Sequence, residues 1–345
     1  MVDGDPTVVA RQLLMGFRGT HLLSVMAELG IADQLVAGPR RSVDLAAALG
    51  THPDALHRVL RALAQLGVLD QSGDGRFALT PVGDCLRSDR VDSLRPVARF
   101  WGHEMLQRAW GNLHYSVMTG EPAFDHVFGT PAFAYLDDHP EAADVYHRGM
   151  AQLRGDATAA TATAYDFARF GTIVDVGGGN GSLLVEILQT FPGLRGVVFD
   201  LEHARPDAEA TIQAAGLFDR VQFEAGDFFS AVPAGGDCYL LRRVIHDWDD
   251  ARAEAILRSC RKAIPAHGRL LLVELLLPPE GDPGMEPVMV DVTMLVRVGG
   301  RERTEAEYRA LLERAGFHLD RIIPTPIRFT ILDCVPVAAS TTTGH

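Results

Sequence analysis

The sequence predicts an α/β protein in which a mainly helical N-terminal module precedes a doubly wound, largely parallel sheet. Three observations carry this expectation. From Gly171 onward, short β-branched and apolar runs alternate with helical patterns, the order of a Rossmann-like domain. The first of these runs, Ile173–Val176, ends in Gly177-Gly178-Gly179-Asn180-Gly181 and passes at once into an apolar helix pattern. Ahead of them, about Thr7 to Leu94 reads as helices followed by a glycine-turned hairpin, the pattern of a winged helix.

In the N-terminal module, Leu13, Leu14, Phe17, Leu22, Leu23, Val25, Met26 and Leu29 recur at helical spacing and predict one helix over Thr7–Gly30, with Gly30 as its C-cap. Ser42 opens a short helix that Gly50 closes, and Leu56, Val59, Leu60, Leu63 and Leu66 line a third over Pro53–Leu66. Val68-Leu69, the turn Ser72-Gly73-Asp74-Gly75 and Arg76–Leu79 make the hairpin. A winged helix can lie in a DNA groove, and the third helix offers Arg58 and Arg61. That helix also carries Asp54, the wing sets Asp74 beside Arg76, and the net charge of −13 argues against a nucleic-acid backbone as partner. The module is therefore read as structural or dimerising. Its first helix carries more apolar surface than so small a unit can cover, which predicts an obligate homodimer.

A second stretch, residues 97–170, is helical and rich in aromatic residues and methionine, among them Phe100, Trp101, Tyr146 and Met150. Most of these side chains serve a core, but such a stretch beside a cofactor domain can also line a pocket for a planar ligand. The expected division is thus 1–96 winged-helix-like, 97–170 helical linker, 171–339 sheet domain and 340–345 disordered tail.

Within the sheet domain, strands are expected at Ile173–Val176, Gly196–Asp200, Val221–Asp227, Asp237–Val244 and Leu270–Leu276. A helix over Thr304–Ala315 and a closing pair, His318–Ile323 and Ile327–Val335, complete it. No apolar run approaches the ~20 residues of a membrane span, and the acidic start lacks a signal-peptide pattern, so a soluble cytoplasmic protein is expected. The four cysteines are scattered, and no His/Asp/Glu cluster has metal-ligand spacing.

The glycine spacing selects a cofactor. A dinucleotide fingerprint wants a third glycine where Ser182 stands; the order Gly177-x-Gly179-x-Gly181 suits a cofactor without phosphates, S-adenosylmethionine (SAM) first among them. Ligands of open α/β sheets bind at the carboxyl ends of strands, where Asp200 can accept the ribose hydroxyls. Asp227, between Gly226 and Phe228, can meet the adenine amino group while the ring stacks. After the fourth strand comes His246, a residue suited to proton transfer near neutral pH. Glu274 lies within an apolar strand and Glu302 follows Gly299-Gly300; a carboxylate buried at Glu274 needs a task, and orienting the histidine would supply one.

These segments together resemble the SAM-dependent O-methyltransferases of the plant-caffeate and bacterial natural-product class. The resemblance rests on Asp175–Gly181, Phe199-Asp200-Leu201, Gly226–Phe229, Val244–Asp250 and Gly299–Thr304, and it covers nearly the whole chain. It implies a Rossmann-like methyltransferase domain behind a winged-helix dimerisation domain. It also implies His246 as general base between Glu274 and Glu302, with SAM held by Gly177, Gly179, Asp200, Gly226, Asp227, Phe228 and Arg242. Met150 and Met294 match positions that sandwich an aromatic acceptor, and Trp101 and Asp247 join them as acceptor contacts. Arg242 replaces the lysine common in plant members, and Arg154 stands where they have a small hydroxyl residue and is expected to grip the SAM carboxylate. The expected reaction is methyl transfer to a hydroxyl of a small aromatic metabolite. N-methylation or non-methylating SAM chemistry, a winged-helix regulator, and an NAD-dependent dehydrogenase are the alternatives.

Overall fold

The computed structural model describes residues 5–154, 157–278 and 284–337, and the expectations for the Arg154 side chain and the tail Ser340–His345 lie outside the described residues. Its contacts divide it into two compact units, residues 1–111 with 133–155, and residues 112–132 with 156–345. The helical stretch expected at 97–170 is thereby shared between them.

In the first unit, two helices, Pro6–Met15 and Phe17–Leu29, replace the single one expected. The break falls at Gly16, whose amide turns back to the Leu13 carbonyl at 3.1 Å; glycine holds a helix interior weakly. Gly30 ends the second helix in the left-handed conformation, as its sequence position predicted. Ser42–Leu49 and Pro53–Gln65 follow. The wing gains a strand the sequence did not reveal: β1 (Arg40–Arg41) pairs with β3 (Arg76–Leu79), which pairs with β2 (Leu69–Gln71). Two arginines carry no apolar alternation, so only pairing exposes that strand. Met26, Ile31, Leu45, Leu60, Leu63 and Phe77 close the core of this module. Leu13, Leu14 and Phe17 remain 76%, 71% and 57% exposed.

The second unit is built on a seven-stranded sheet of β4 (Thr172–Val176), β5 (Arg195–Asp200), β6 (Val221–Ala225), β7 (Cys238–Arg242), β8 (Arg269–Glu274), β11 (Phe317–Pro324) and β12 (Thr330–Pro336). Between β8 and β11 lie β9 (Leu276–Leu277) and β10 (Arg303–Thr304), which pair in parallel as a separate short ladder. The order across the sheet is β11-β12-β8-β7-β4-β5-β6. The five strands from β4 to β8 run parallel, and β12 enters antiparallel beside β8. Apolar cores cover both faces, which is why β7 and β8 read as continuous hydrophobic runs. The fourth strand stops at Arg242, two residues short of expectation, because Arg243 adopts φ 58° and turns the chain out of the sheet. Midway along β12, fully buried Asp333 collects the Tyr165 hydroxyl at 3.0 Å, Arg269 at 3.2 Å and Arg321.

Candidate active site

Two turns leave the carboxyl ends of β4 and β7. The first is the glycine turn. Gly177, Gly179 and Gly181 have φ of 69°, 56° and 72°, a region that other residues enter at a cost. Crowding adds a second requirement: a Cβ on Gly177 would stand 2.8 Å from Val244, and one on Gly181 2.9 Å from Val198. The Asp200 carboxylate stitches this turn to β5, accepting the Gly179 N–H and the Leu201 N–H at 2.7 Å each. A carboxylate offers about four lone-pair sites, so Asp200 keeps capacity for ligand hydroxyls.

Beyond β6, Gly226 lets the Phe199 ring lie where a Cβ would be, and Asp227, exposed, accepts the Phe229 N–H at 2.8 Å. Phe228, Phe229 and Trp248 pack edge to face, with centroids 4.9, 6.0 and 4.8 Å apart. Arg242, at the end of β7, donates to Thr158 at 2.9 Å. The Asp200 and Asp227 carboxylates, the aromatic side chains Phe228, Phe229 and Trp248 and the glycine turn thus lie at the carboxyl ends of the parallel strands, a set that fits an adenosine cofactor such as SAM.

The second turn carries His246. The chain leaves β7, kinks at Arg243 and forms a single 3₁₀ turn, Ile245–Asp247. Charged groups grip it from several sides. Glu274 accepts the Ile245 N–H at 3.0 Å; Arg303 donates to the carbonyls of Ile245 at 3.2 Å and Trp248 at 2.8 Å; the Arg301 amide donates to the His246 carbonyl at 2.9 Å. That last bond brings Gly300 so close that any Cβ there would overlap the His246 carbonyl oxygen.

The buried imidazole itself meets Glu302, with Nδ1 3.0 Å from Oε1. Arg243 forks onto the same carboxylate, NH2 to Oε1 at 2.8 Å and NH1 to Oε2 at 3.1 Å. On the other ring edge, Nε2 lies 3.4 Å from Asp247 Oδ1, which is itself 3.5 Å from buried Arg297. The Glu302 amide is held by Asp291 at 2.8 Å.

The two glutamates, which the sequence paired as orienters of the ring, divide the work. Glu302 meets the ring and Glu274 the backbone before it. Their protonation diverges accordingly. Burial alone would raise the Glu302 carboxyl, but the His246 hydrogen bond and the Arg243 charge outweigh it and hold it at about 2. Burial dominates at Glu274, only partly offset by His246 and Arg243, and pushes it up to about 7.

Met294 is buried on the helix Met285–Arg297, which also carries Asp291 and Arg297 to the turn. Trp101 and Met150 lie in the first unit, half-buried on the helices Arg95–Gly102 and Pro140–Arg154. Arg243, Asp291, Arg297 and Arg303 were not singled out as site residues in the sequence. Of these only Arg303 had a signal in the sequence, as part of an arginine-rich Gly299–Thr304 segment whose charges were unassigned.

A family model described as an O-methyltransferase domain matches residues 110–318, and one described as an O-methyltransferase dimerisation domain matches residues 11–89. The chain is 43% identical over 331 residues to O-demethylpuromycin O-methyltransferase of Streptomyces alboniger, covering 94% of this chain and 88% of that one. Its structure is similar to that of the mitomycin 7-O-methyltransferase, with a TM-score of 0.92, 36% identity, and coverage of 96% and 98% of the two chains. It is also similar to an O-methyltransferase from neocarzinostatin biosynthesis solved with SAM and 2-hydroxy-5-methyl naphthoic acid: TM-score 0.84, 32% identity, 92% and 96% coverage.

Proposed function

This chain belongs to the SAM-dependent O-methyltransferases that carry an N-terminal dimerisation domain, and we propose that it methylates a hydroxyl of a small aromatic secondary metabolite with His246 as general base. The observation that carries this reading is the contact between His246 Nδ1 and the ionised Glu302. A carboxylate can only accept there, so Nδ1 keeps its proton, and Nε2, 3.4 Å from Asp247 Oδ1 without a hydrogen bond to it, is left to present the lone pair. Bound SAM supplies a methyl group already activated as a sulfonium. What remains for the protein is to align the acceptor oxygen and remove its proton. A phenol with pKa ~10 is barely ionised at neutral pH, so a base within hydrogen-bond reach accelerates transfer by ~10²–10⁴-fold. The proton moves from the acceptor oxygen to Nε2, and the imidazolium so formed sits against the Glu302 charge. Alignment in a dry site contributes up to ~7–11 kcal/mol more.

Asp200, Asp227, Phe228, Arg242 and the glycine turn are the proposed SAM contacts, and Met294 with Asp247 the acceptor contacts on the second unit. Arg154, Trp101 and Met150 stay proposals that rest on the resemblance alone. An aromatic acceptor is supported by the naphthoic acid held in the neocarzinostatin relative. The test is incubation of the full chain with SAM and a panel of phenolic polyketides, aromatic acids and aryl amines, read by mass spectrometry. O-methyl products support the reading; N-methyl products alone overturn it. We also propose a homodimer, supported by the exposed Leu13, Leu14 and Phe17 on the segment matching the dimerisation domain. Light scattering that returns a monomer for active enzyme refutes that part.

A further inference from the structure

We infer that Arg243 is a positioning residue for the reaction: its guanidinium fixes Glu302 as the charged partner of the ring, and so keeps the His246 proton on Nδ1 and the lone pair on Nε2. This rests on the reading of His246 as the base.

The geometry begins in the backbone. Among the described residues, Arg243 is the one non-glycine residue with left-handed φ, at 58°. Such strain persists only where the surroundings over-determine it. Here the Arg243 amide donates to the Val273 carbonyl at 3.0 Å, tying the kink to β8. The kink turns a long cation inward, where its side chain keeps 11% exposure. Its fork meets both oxygens of Glu302 at 2.8 and 3.1 Å, the pairing arginine makes best. NH1 lies 3.7 Å from Glu274 Oε2, and the guanidinium covers the Phe329 ring at 5.4 Å. Tyr308 and Arg328 complete the titratable and charged groups facing it.

Arg243 makes no hydrogen bond to His246; it acts through Glu302, whose Oε1 it shares with Nδ1. Two buried glutamates in a water-poor space cannot both stay ionised cheaply. The forked cation settles which one does: Glu302 stays charged, and the proton is left for Glu274, in keeping with their divergent titration. Without the cation, Glu302 can take up a proton and ceases to be a pure acceptor. The imidazole can then carry its proton on Nε2, where it cannot receive another.

The experiment needs no acceptor. Full-length protein labelled with ¹⁵N-histidine reports the tautomer of His246, assigned by subtraction of an H246Q spectrum. Wild type is expected as the Nδ1–H form. R243G, in which glycine accepts the same φ, is expected to keep its fold and SAM binding yet shift toward the Nε2–H form. Millimolar guanidinium should reverse the shift, and R243K should fall between. R243G/E302Q should match E302Q alone, because the effect passes through Glu302. With an acceptor in hand, kcat of R243G should drop ~10²-fold at nearly unchanged KM. A folded R243G that retains the Nδ1–H form overturns the inference; should R243G not fold, an R243K enzyme with wild-type tautomer and turnover does so. A wild-type protein carrying the proton on Nε2 would instead overturn His246 as the base.

Discussion

The glycine turn and the histidine turn leave neighbouring parallel strands of one sheet, yet they are held in opposite ways. The glycine turn is kept open: backbone amides and the Asp200 carboxylate tie it to β5, and its special residues are those without side chains. The histidine turn is clamped: Glu274, Arg303, the Arg301 amide and the close approach of Gly300 fix its backbone, while Glu302 and Arg243 fix its ring. A binding turn needs room for a ligand to approach the backbone. A proton-transfer group needs a single ring orientation, because a misplaced base contributes little.

The contrast can be broken most severely at its centre. His246→Ala should lower kcat by ~10²–10⁴-fold while leaving SAM affinity within a few-fold; calorimetry beside steady-state kinetics separates the two. Next comes a pair of identical chemical changes. Gly300→Ala must push a methyl into the His246 carbonyl, and should cost ~1–3 kcal/mol of stability together with most of the turnover. Gly179→Ala meets nothing within 4 Å and carries only its φ of 56°, so it should cost ~1–2 kcal/mol and act on SAM affinity. Equal losses of turnover in the two variants would erase the distinction between clamped and open turns.

A third change loosens the open turn alone: Asp200→Ala should weaken SAM by ~10–10²-fold in a binding titration, with kcat at saturating SAM largely kept. The last change concerns Glu274, whose effect is on stability alone and is spread over several pH units. Its carboxyl titrates near 7 in the folded protein against 4.5 in its ordinary state. Between those values the folded form binds the extra proton, so this group's contribution to stability falls as pH rises through the window, by at most ~3 kcal/mol. Glu274→Gln removes the titration, and its melting temperature relative to wild type should climb from about pH 5 to about pH 8. A pH-independent difference would mean that Glu274 does not change charge there.

The open turn was legible in the sequence because its determinants are local. Glycines follow a strand within five residues, and Asp200 ends the next strand, so period and spacing suffice. The clamp was legible only in part. His246 and Glu302 are 56 residues apart, and their pairing followed from resemblance, not from any local pattern. Arg243 stood in full view beside Arg242, but two adjacent arginines look alike until one takes a positive φ and turns inward. Arg303 was missed for a related reason: a fully buried arginine is rare, and its backbone partners Ile245 and Trp248 lie more than fifty residues earlier. The strand Arg40–Arg41 escaped because pairing with β3 decides it, and the break at Gly16 because the apolar period runs on through the glycine that interrupts the helix.

The place of β12 in the sheet sets a clock on synthesis. Glu274, on β8, lies directly opposite Thr330, and β8 is bracketed by β7 on one side and by β12, the last strand in chain order among the described residues, on the other. A nascent chain emerging from the ribosome can assemble the helical module and the strands from β4 to β8 early, but one edge of β8 stays unpaired until Pro336 has appeared. Until then Asp333 cannot gather Arg269 and Tyr165, and the strand that supports the histidine turn presents an open, hydrophobic ladder to its neighbours. Any pause in synthesis that holds Thr330–Pro336 back therefore prolongs the exposure of that edge.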